Sequence, residues 1–137
     1  MTKIKSIYII DDDAITLFGM KKLLEKVVEY EHVYEFKNGK TALNSILKGI
    51  KMHNEIPDVI FLDINMPIMD GWEFLEEFIK IPVRKKIKIN IITSSIDPAD
   101  VNKWKKYQTR TIHELAFKNK PIFSIDIEEL IPIDLAS

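Results

Sequence analysis

Asp63 closes the apolar run Val59-Ile60-Phe61-Leu62 and opens the segment Asp63-Ile64-Asn65-Met66-Pro67-Ile68-Met69-Asp70-Gly71. A second acidic group, Asp11-Asp12-Asp13, closes another apolar run, Ile7-Tyr8-Ile9-Ile10. Two strands that end in carboxylates can bring those carboxylates together at one edge of a parallel sheet. Like charges crowded there repel, and a divalent cation that prefers oxygen ligands relieves the repulsion. One carboxylate is then free to attack phosphorus as a nucleophile. Acids at a helix start also cap its unpaired backbone N–H groups, and Asp13 is assigned to that task.

The surrounding pattern supplies elements to hold these groups. Short β-branched runs alternate with helical periodicity, as βαβ units and a parallel sheet require. Strands are expected near Ser6–Ile10, His32–Phe36, Asp58–Leu62 and Ile87–Ile92, with a weaker fifth near Leu115–Lys118. A first helix carries Leu17, Met20, Leu24, Val27 and Val28 on one face, and a second carries Leu43, Ile46, Leu47 and Ile50. Asp70-Gly71 opens a third helix with Phe74, Leu75, Phe78 and Ile79, ended by Pro82. Pro98 suits the first turn of a fourth helix over Asp97–Tyr107. A last helical segment, Ser124–Ile131, is stopped by Pro132, and its Ile125, Ile127, Leu130 and Ile131 are assigned to covering the sheet. Lys88 and Asn90 alternate with isoleucines, so the fourth strand is expected to be less covered at its start. Five βα units without a GxGxxG turn predict a flavodoxin-like, doubly wound α/β fold: a five-stranded parallel sheet in the order 2-1-3-4-5 with helices on both faces. The functional crevice of such sheets lies beyond the carboxyl ends of the strands. Asp11, Asp12, Asp63, Thr93 and Lys120 all fall at or just after such ends.

Length and composition bound the rest. A chain of 137 residues is read as one domain with a full core. Acidic and basic residues nearly balance, 21 against 20, which gives no electrostatic case for nucleic acid or membrane as the main partner. With no cysteine, disulfides, thiolate zinc sites and cysteine nucleophiles are excluded. No signal-peptide layout or transmembrane-length run is present, so a cytoplasmic setting is expected. His32, His53 and His113 lie in unrelated segments without ligand spacing and read as structural. Arg84-Lys85-Lys86 and Lys118 read as solvated charge.

The chain resembles the receiver domain of two-component response regulators, in the single-domain, chemotaxis-regulator-like form. The matching pieces are Asp11-Asp12, Phe61-Leu62-Asp63 with Met66-Pro67 and Asp70-Gly71, Ile92-Thr93-Ser94, and Lys120-Pro121. They run across residues 1–137 in the family's order and spacing. The resemblance implies a phosphoacceptor role for Asp63, with a histidine kinase or phosphotransfer protein as donor. It implies a Mg²⁺ site, with Mn²⁺ as substitute, made by Asp12, Asp63 and the backbone carbonyl of Asn65, with Asp11 acting through water. Lys120, after a commonly cis Lys-Pro bond, would meet the phosphoryl oxygens. Thr93 would hydrogen-bond one of them, and Ser94 would leave room for the group. Phe117 sits at the family's aromatic switch position, where it lacks the hydroxyl of the more usual tyrosine; as a residue of the expected fifth strand it reads equally well as core. The implied role is regulatory, not enzymatic, although the domain would promote its own phosphoryl transfer and dephosphorylation. Output is expected as a monomer or weak dimer that binds a protein partner through the fourth-helix face, where Trp104 and Tyr107 stand among lysines. No output domain follows, so the chain reads as a stand-alone receiver or one segment of a longer protein.

Three rival readings have less in their favour. Asp63-Ile64-Asn65 is similar to the Asp-x-Asp of haloacid-dehalogenase-like phosphatases, but Asn65 cannot protonate a leaving group and that motif normally follows the first strand. A flavodoxin would need a phosphate-cradling loop where three acids stand. A non-phosphorylated pseudo-receiver would leave key positions vacant, and none is.

Overall fold

The computed structural model describes residues 3–131. The elements run β1 (Lys3–Ile10), α1 (Ala14–Glu25), β2 (Glu29–Phe36), α2 (Gly39–Lys51), β3 (Val59–Leu62), α3 (Gly71–Phe78), β4 (Lys88–Thr93), α4 (Pro98–Gln108) and β5 (Glu114–Asn119). One turn of 3-10 helix, Ile127–Glu129, follows. All strand pairs are parallel and the order is β2-β1-β3-β4-β5, as expected from the pattern. β2 and β5 are therefore the two edges. No helix among the described residues is long and apolar enough to cross a membrane.

The two faces of the sheet separate by strand alternation. Tyr8, Ile10, Ile60, Leu62, Ile89 and Ile91 pack under α2 and α3, with Phe74, Leu75 and Phe78 fully buried. Ile7, Ile9, Val59, Phe61 and Ile92 pack under α1 and the C-terminal segment. Each helix starts on a side-chain cap: Asp13 for α1, Asn38 for α2, Asp70 for α3 and Asp97 for α4. Gly71 has to be glycine, because a Cβ there would stand 2.4 Å from the carbonyl oxygen of Asp63. Between them, Pro67-Ile68-Met69 forms a tight turn in which Met69 N–H donates to the Pro67 carbonyl at 2.7 Å. Exposed Ile68 takes φ 70°, a strained value for a β-branched residue.

Several expectations need correction. β2 begins at Glu29, and Val27 and Val28 lie past the end of α1. On α2 the buried stripe is Ala42, Leu43 and Ile46, while Leu47 and Ile50 are exposed. Lys88 and Asn90 are buried despite their polarity. Lys88 meets Glu114 at 3.4 Å, and Asn90 donates to the Glu129 carbonyl at 2.6 Å. Lys118 is also engaged, with Glu129 at 2.9 Å and the Ser124 carbonyl at 3.2 Å. Lys85 pairs with Asp58 at 2.6 Å. The Asn90 and Lys118 contacts fasten the C-terminal segment, where a short helix over Ser124–Ile131 was expected and the 3-10 turn Ile127–Glu129 stands instead. Ile125 and Leu130 are buried there, Ile127 stays partly exposed, and Pro132 lies outside the described residues.

His113 is structural, as its isolation in sequence suggested. It is buried against Phe78, and its Nδ1 accepts the Ile87 N–H at 3.0 Å, so the ring is neutral with Nδ1 unprotonated. Burial pushes its pKa from 6.5 down to about 4. The unfolded chain therefore takes up the proton first, and the contribution of His113 is complete above pH 6.5 and lost as pH falls toward 4. The stability difference between the parent and His113→Asn should move against the parent by up to about 3 kcal/mol across that window. Urea titrations at several pH values measure it, and a pH-independent difference would rule this account out.

Candidate functional site

The site is built from strand ends. Ile10 and Leu62 are paired across β1 and β3, so Asp11 and Asp63 leave the sheet side by side. Their backbones are fixed by Asp63 N–H donating to the Ile10 carbonyl at 2.9 Å and Asp11 N–H to the Phe36 carbonyl at 2.8 Å. Carboxylate oxygens of Asp11, Asp12 and Asp63 all lie within 4.8 Å of one another. Asp11 and Asp63 are buried and Asp12 is exposed. Three hard oxygen donors in that space match the preference of Mg²⁺ or Mn²⁺. Asn65 follows two residues after Asp63 in an exposed part of the β3–α3 loop.

Lys120 enters from the far side. Thr93 and Asn119 are paired at the ends of β4 and β5, and Lys120 N–H donates to the Thr93 carbonyl at 2.8 Å. The Lys120-Pro121 bond is cis. The ammonium stands 2.9 Å from Asp11 and 3.7 Å from Asp63. Burial alone would lower its pKa, but Asp11 and Asp63 outweigh burial and hold it above the ordinary lysine value. The pKa of Asp63 is also pushed up, to about 6, by burial first and by Asp11 second. Lys120 and the N–H groups of Ile64 and Asn65 offset only part of that. The result is a buried carboxylate that is unusually basic and still ionised at neutral pH.

Asp13 caps α1, accepting from the Ile15 N–H at 3.1 Å and the Thr16 hydroxyl at 2.9 Å. Thr93 is buried and Ser94 is exposed beside it. Phe117 is half-buried, its ring 5.6 Å from that of Trp104 on α4. The anticipated free aromatics of α4 are engaged: Trp104 Nε1 donates to the Leu115 carbonyl at 2.9 Å, and the Tyr107 hydroxyl donates to Glu76 at 2.8 Å.

One set of contacts is invisible from sequence. The Thr93 hydroxyl oxygen accepts the Ser95 N–H at 3.1 Å, and the Ser95 hydroxyl donates to Asp100 at 2.5 Å. Asp100 also accepts the Trp72 indole N–H at 2.9 Å. This chain runs from the acidic pocket to the meeting of α3 and α4. It depends on the conformation of the β4–α4 loop, which no residue spacing announces. A second acidic group, Glu31, His32 and Glu55, also converges, on the exposed β2 edge, with His32 3.3 Å from Glu55.

Comparison with known proteins agrees with this fold. The family described as the response regulator receiver domain matches residues 7–114. The chemotaxis protein CheY of Listeria monocytogenes is 39% identical over 70 residues, covering 50% of this chain and 53% of that protein. A protein-glutamate methylesterase/protein-glutamine glutaminase of Methanospirillum hungatei is 33% identical over 91 residues, 66% of this chain and 23% of that protein. The match thus spans about half of the first relative and about a quarter of the second. Among solved structures, a two-component response regulator from Cytophaga hutchinsonii superposes with TM-score 0.76 at 27% identity, covering 93% of this chain and 94% of that one. The Mn²⁺-bound form of response regulator Rcp1 superposes with TM-score 0.70 at 23% identity, over 87% and 83% of the two chains. With its five parallel strands, its strand-end carboxylates and a family match over most of its length, this chain belongs to the response regulator receiver domain family.

Proposed function

We propose that residues 1–137 form one receiver domain that takes a phosphoryl group on Asp63 from a histidine kinase or phosphotransfer protein and relays that state to a protein partner in the cytoplasm. The observation that carries this reading is the placement of Asp63 beside Asp11 and Lys120, buried yet basic enough to attack. The Asp63 oxygen would form the new O–P bond in line as the P–N bond of the phosphohistidine breaks and its electron pair returns to the imidazole. Lys120 would neutralise the approaching oxygens from one side, and the Thr93 hydroxyl would receive one of them. Asp12 and Asp63, with the Asn65 carbonyl and Asp11 through water, would hold Mg²⁺ or Mn²⁺. A bound divalent ion supplies charge neutralisation at the phosphoryl oxygens. That Rcp1 was solved with Mn²⁺ supports the choice of metal.

The rim supports a protein donor. Ile15, Phe18, Ile68, Ile96 and Phe123 are all large, apolar and more than half exposed, and the four segments they occupy follow the carboxyl ends of four different strands. An apolar rim around a polar centre suits docking of another protein. The domain is proposed to act on its own phosphoryl group, promoting transfer and hydrolysis there, and not on an outside substrate. Signalling as a monomer or weak dimer without direct nucleic-acid contact fits the near-neutral charge.

Incubation with a small phosphodonor and Mg²⁺ should add one phosphoryl mass that hydroxylamine removes, and Asp63→Asn should add none. Undiminished labelling of that variant would refute the assignment. The raised pKa of Asp63 carries a stability cost in the metal-free protein. Between pH 4 and 6 the unfolded chain loses this proton first, so stability falls as pH rises through that range. At pH 8 with a chelator, Asp63→Asn should be more stable than the parent by about 2 kcal/mol. Mg²⁺ should then raise the melting temperature of the parent more than that of the variant. Equal Mg²⁺ gains in both proteins would remove Asp63 from the metal site. Lys120→Ala and Thr93→Ala should stay folded yet respond weakly to beryllofluoride, because each loses a bond to the phosphoryl position, worth roughly 1.5–3 kcal/mol when charge-assisted. NMR shifts on beryllofluoride identical to those of the parent would show that neither residue carries the switch.

A further inference from the structure

A groove of about 600 Å³ lies away from the acidic trio, between α3 and α4. Its floor is Met69 with the parallel rings of Trp72 and Tyr107, 5.7 Å apart and 8° from coplanar. The two walls carry opposite charge, but they differ in what is left over. On α3, Glu76 accepts two Arg110 N–H groups at 3.1 Å and the Tyr107 hydroxyl, which together hold its carboxyl well below the usual carboxylate range. Glu73 belongs to the capping box at the helix start, and Glu77 faces Lys80 at 3.4 Å. On α4, Lys103 and Lys106 have no carboxylate partner among the described residues, and the Lys103 ammonium stands 5.9 Å from the Trp72 ring. The α4 wall thus keeps two lysines without a carboxylate partner beside an aromatic floor, opposite the glutamates of α3.

The other side of α4 is already occupied by the protein itself. Trp104 and Gln108 both donate to the Leu115 carbonyl, at 2.9 and 3.0 Å, and Trp104 covers Phe117. α4 has no fully buried residue, and its half-buried Trp104 and Tyr107, packed against the core, are supplemented by these polar clasps. Its 11 residues make a groove wall about 16 Å long, the reach of roughly three helical turns.

We propose that the α3–α4 groove is the docking site for a short acidic, amphipathic helix of a partner protein. Its apolar face lies over Trp72, Tyr107 and Met69, and its carboxylates face Lys103 and Lys106. The proposal rests on the protein-partner output proposed above, but not on phosphorylation of Asp63. The test is an NMR titration of the ¹⁵N-labelled full chain with a capped, Leu- and Trp-bearing helical peptide rich in Glu, and with its Lys-for-Glu counterpart. The Glu peptide should shift the Trp72 indole N–H, assigned by its persistence in Trp104→Phe, together with the amides of α3 and α4. Lys103→Glu with Lys106→Glu should raise its Kd about tenfold or more and remove its salt dependence. The same titration of Asp63→Asn should give the parent's affinity, which separates a failed phosphoacceptor assignment from a failed docking surface. Shifts centred on α1 or the β5 edge, equal binding of the Lys peptide, or an unchanged Kd in the double reversal would overturn the proposal.

Discussion

Lys120 stands between two buried carboxylates, 2.9 Å from Asp11 and 3.7 Å from Asp63, and that three-way contact constrains the architecture around it. Two acids of like charge at the end of a low-dielectric sheet repel, and one ammonium relieves only part of the strain. The sheet must therefore be rigid enough to keep them together. Its central strands meet that need with near-continuous apolar runs, Ile7 to Ile10 and Val59 to Leu62, buried on both faces. The same closeness explains Gly71, since the α3 start comes so near the Asp63 carbonyl that no side chain fits.

From this centre the contacts run outward in one direction. Thr93, Ser95, Asp100 and Trp72 form a hydrogen-bonded sequence ending at the α3–α4 groove. Each link is short and directional, while α4 itself rests on the core through half-buried Trp104 and Tyr107 and buries no residue fully. A helix tethered this way can take up a second position at smaller cost than one embedded in the core. Coupling of the pocket to the groove would act through that second position, which both sites would have to bias.

The fold was legible because its signals are local and repeated. Strand-end acids, side-chain caps and the apolar periods of α1 and α3 all follow from short-range chemistry. Asp11, Asp63, Thr93 and Lys120 could be placed at one edge because a parallel sheet puts every carboxyl end on the same side. Lys88 and Asn90 were misread because alternation measures the chain against itself, whereas their partners, Glu114 and the Glu129 carbonyl, come from far along it. Lys118 was misread for the same reason. A 3-10 turn stands where a short C-terminal helix was expected, and its hold on the sheet is polar as well as apolar. The Ser95–Asp100–Trp72 contacts depend on a loop conformation, and nothing in the residue order specifies it.

The two edge strands carry a further consequence. An open parallel sheet presents unpaired backbone along β2 and β5, and in a concentrated solution such edges can template growth from molecule to molecule. β2 sets Glu29, Glu31 and Glu35 along its exposed length, two of them held by Lys3 and Lys21. β5 carries Glu114 and Lys118. A second copy approaching β2 in register would have to bury those carboxylates against its own, so the edge that flanks β1 is protected against aggregation by the same like-charge repulsion that strains the centre.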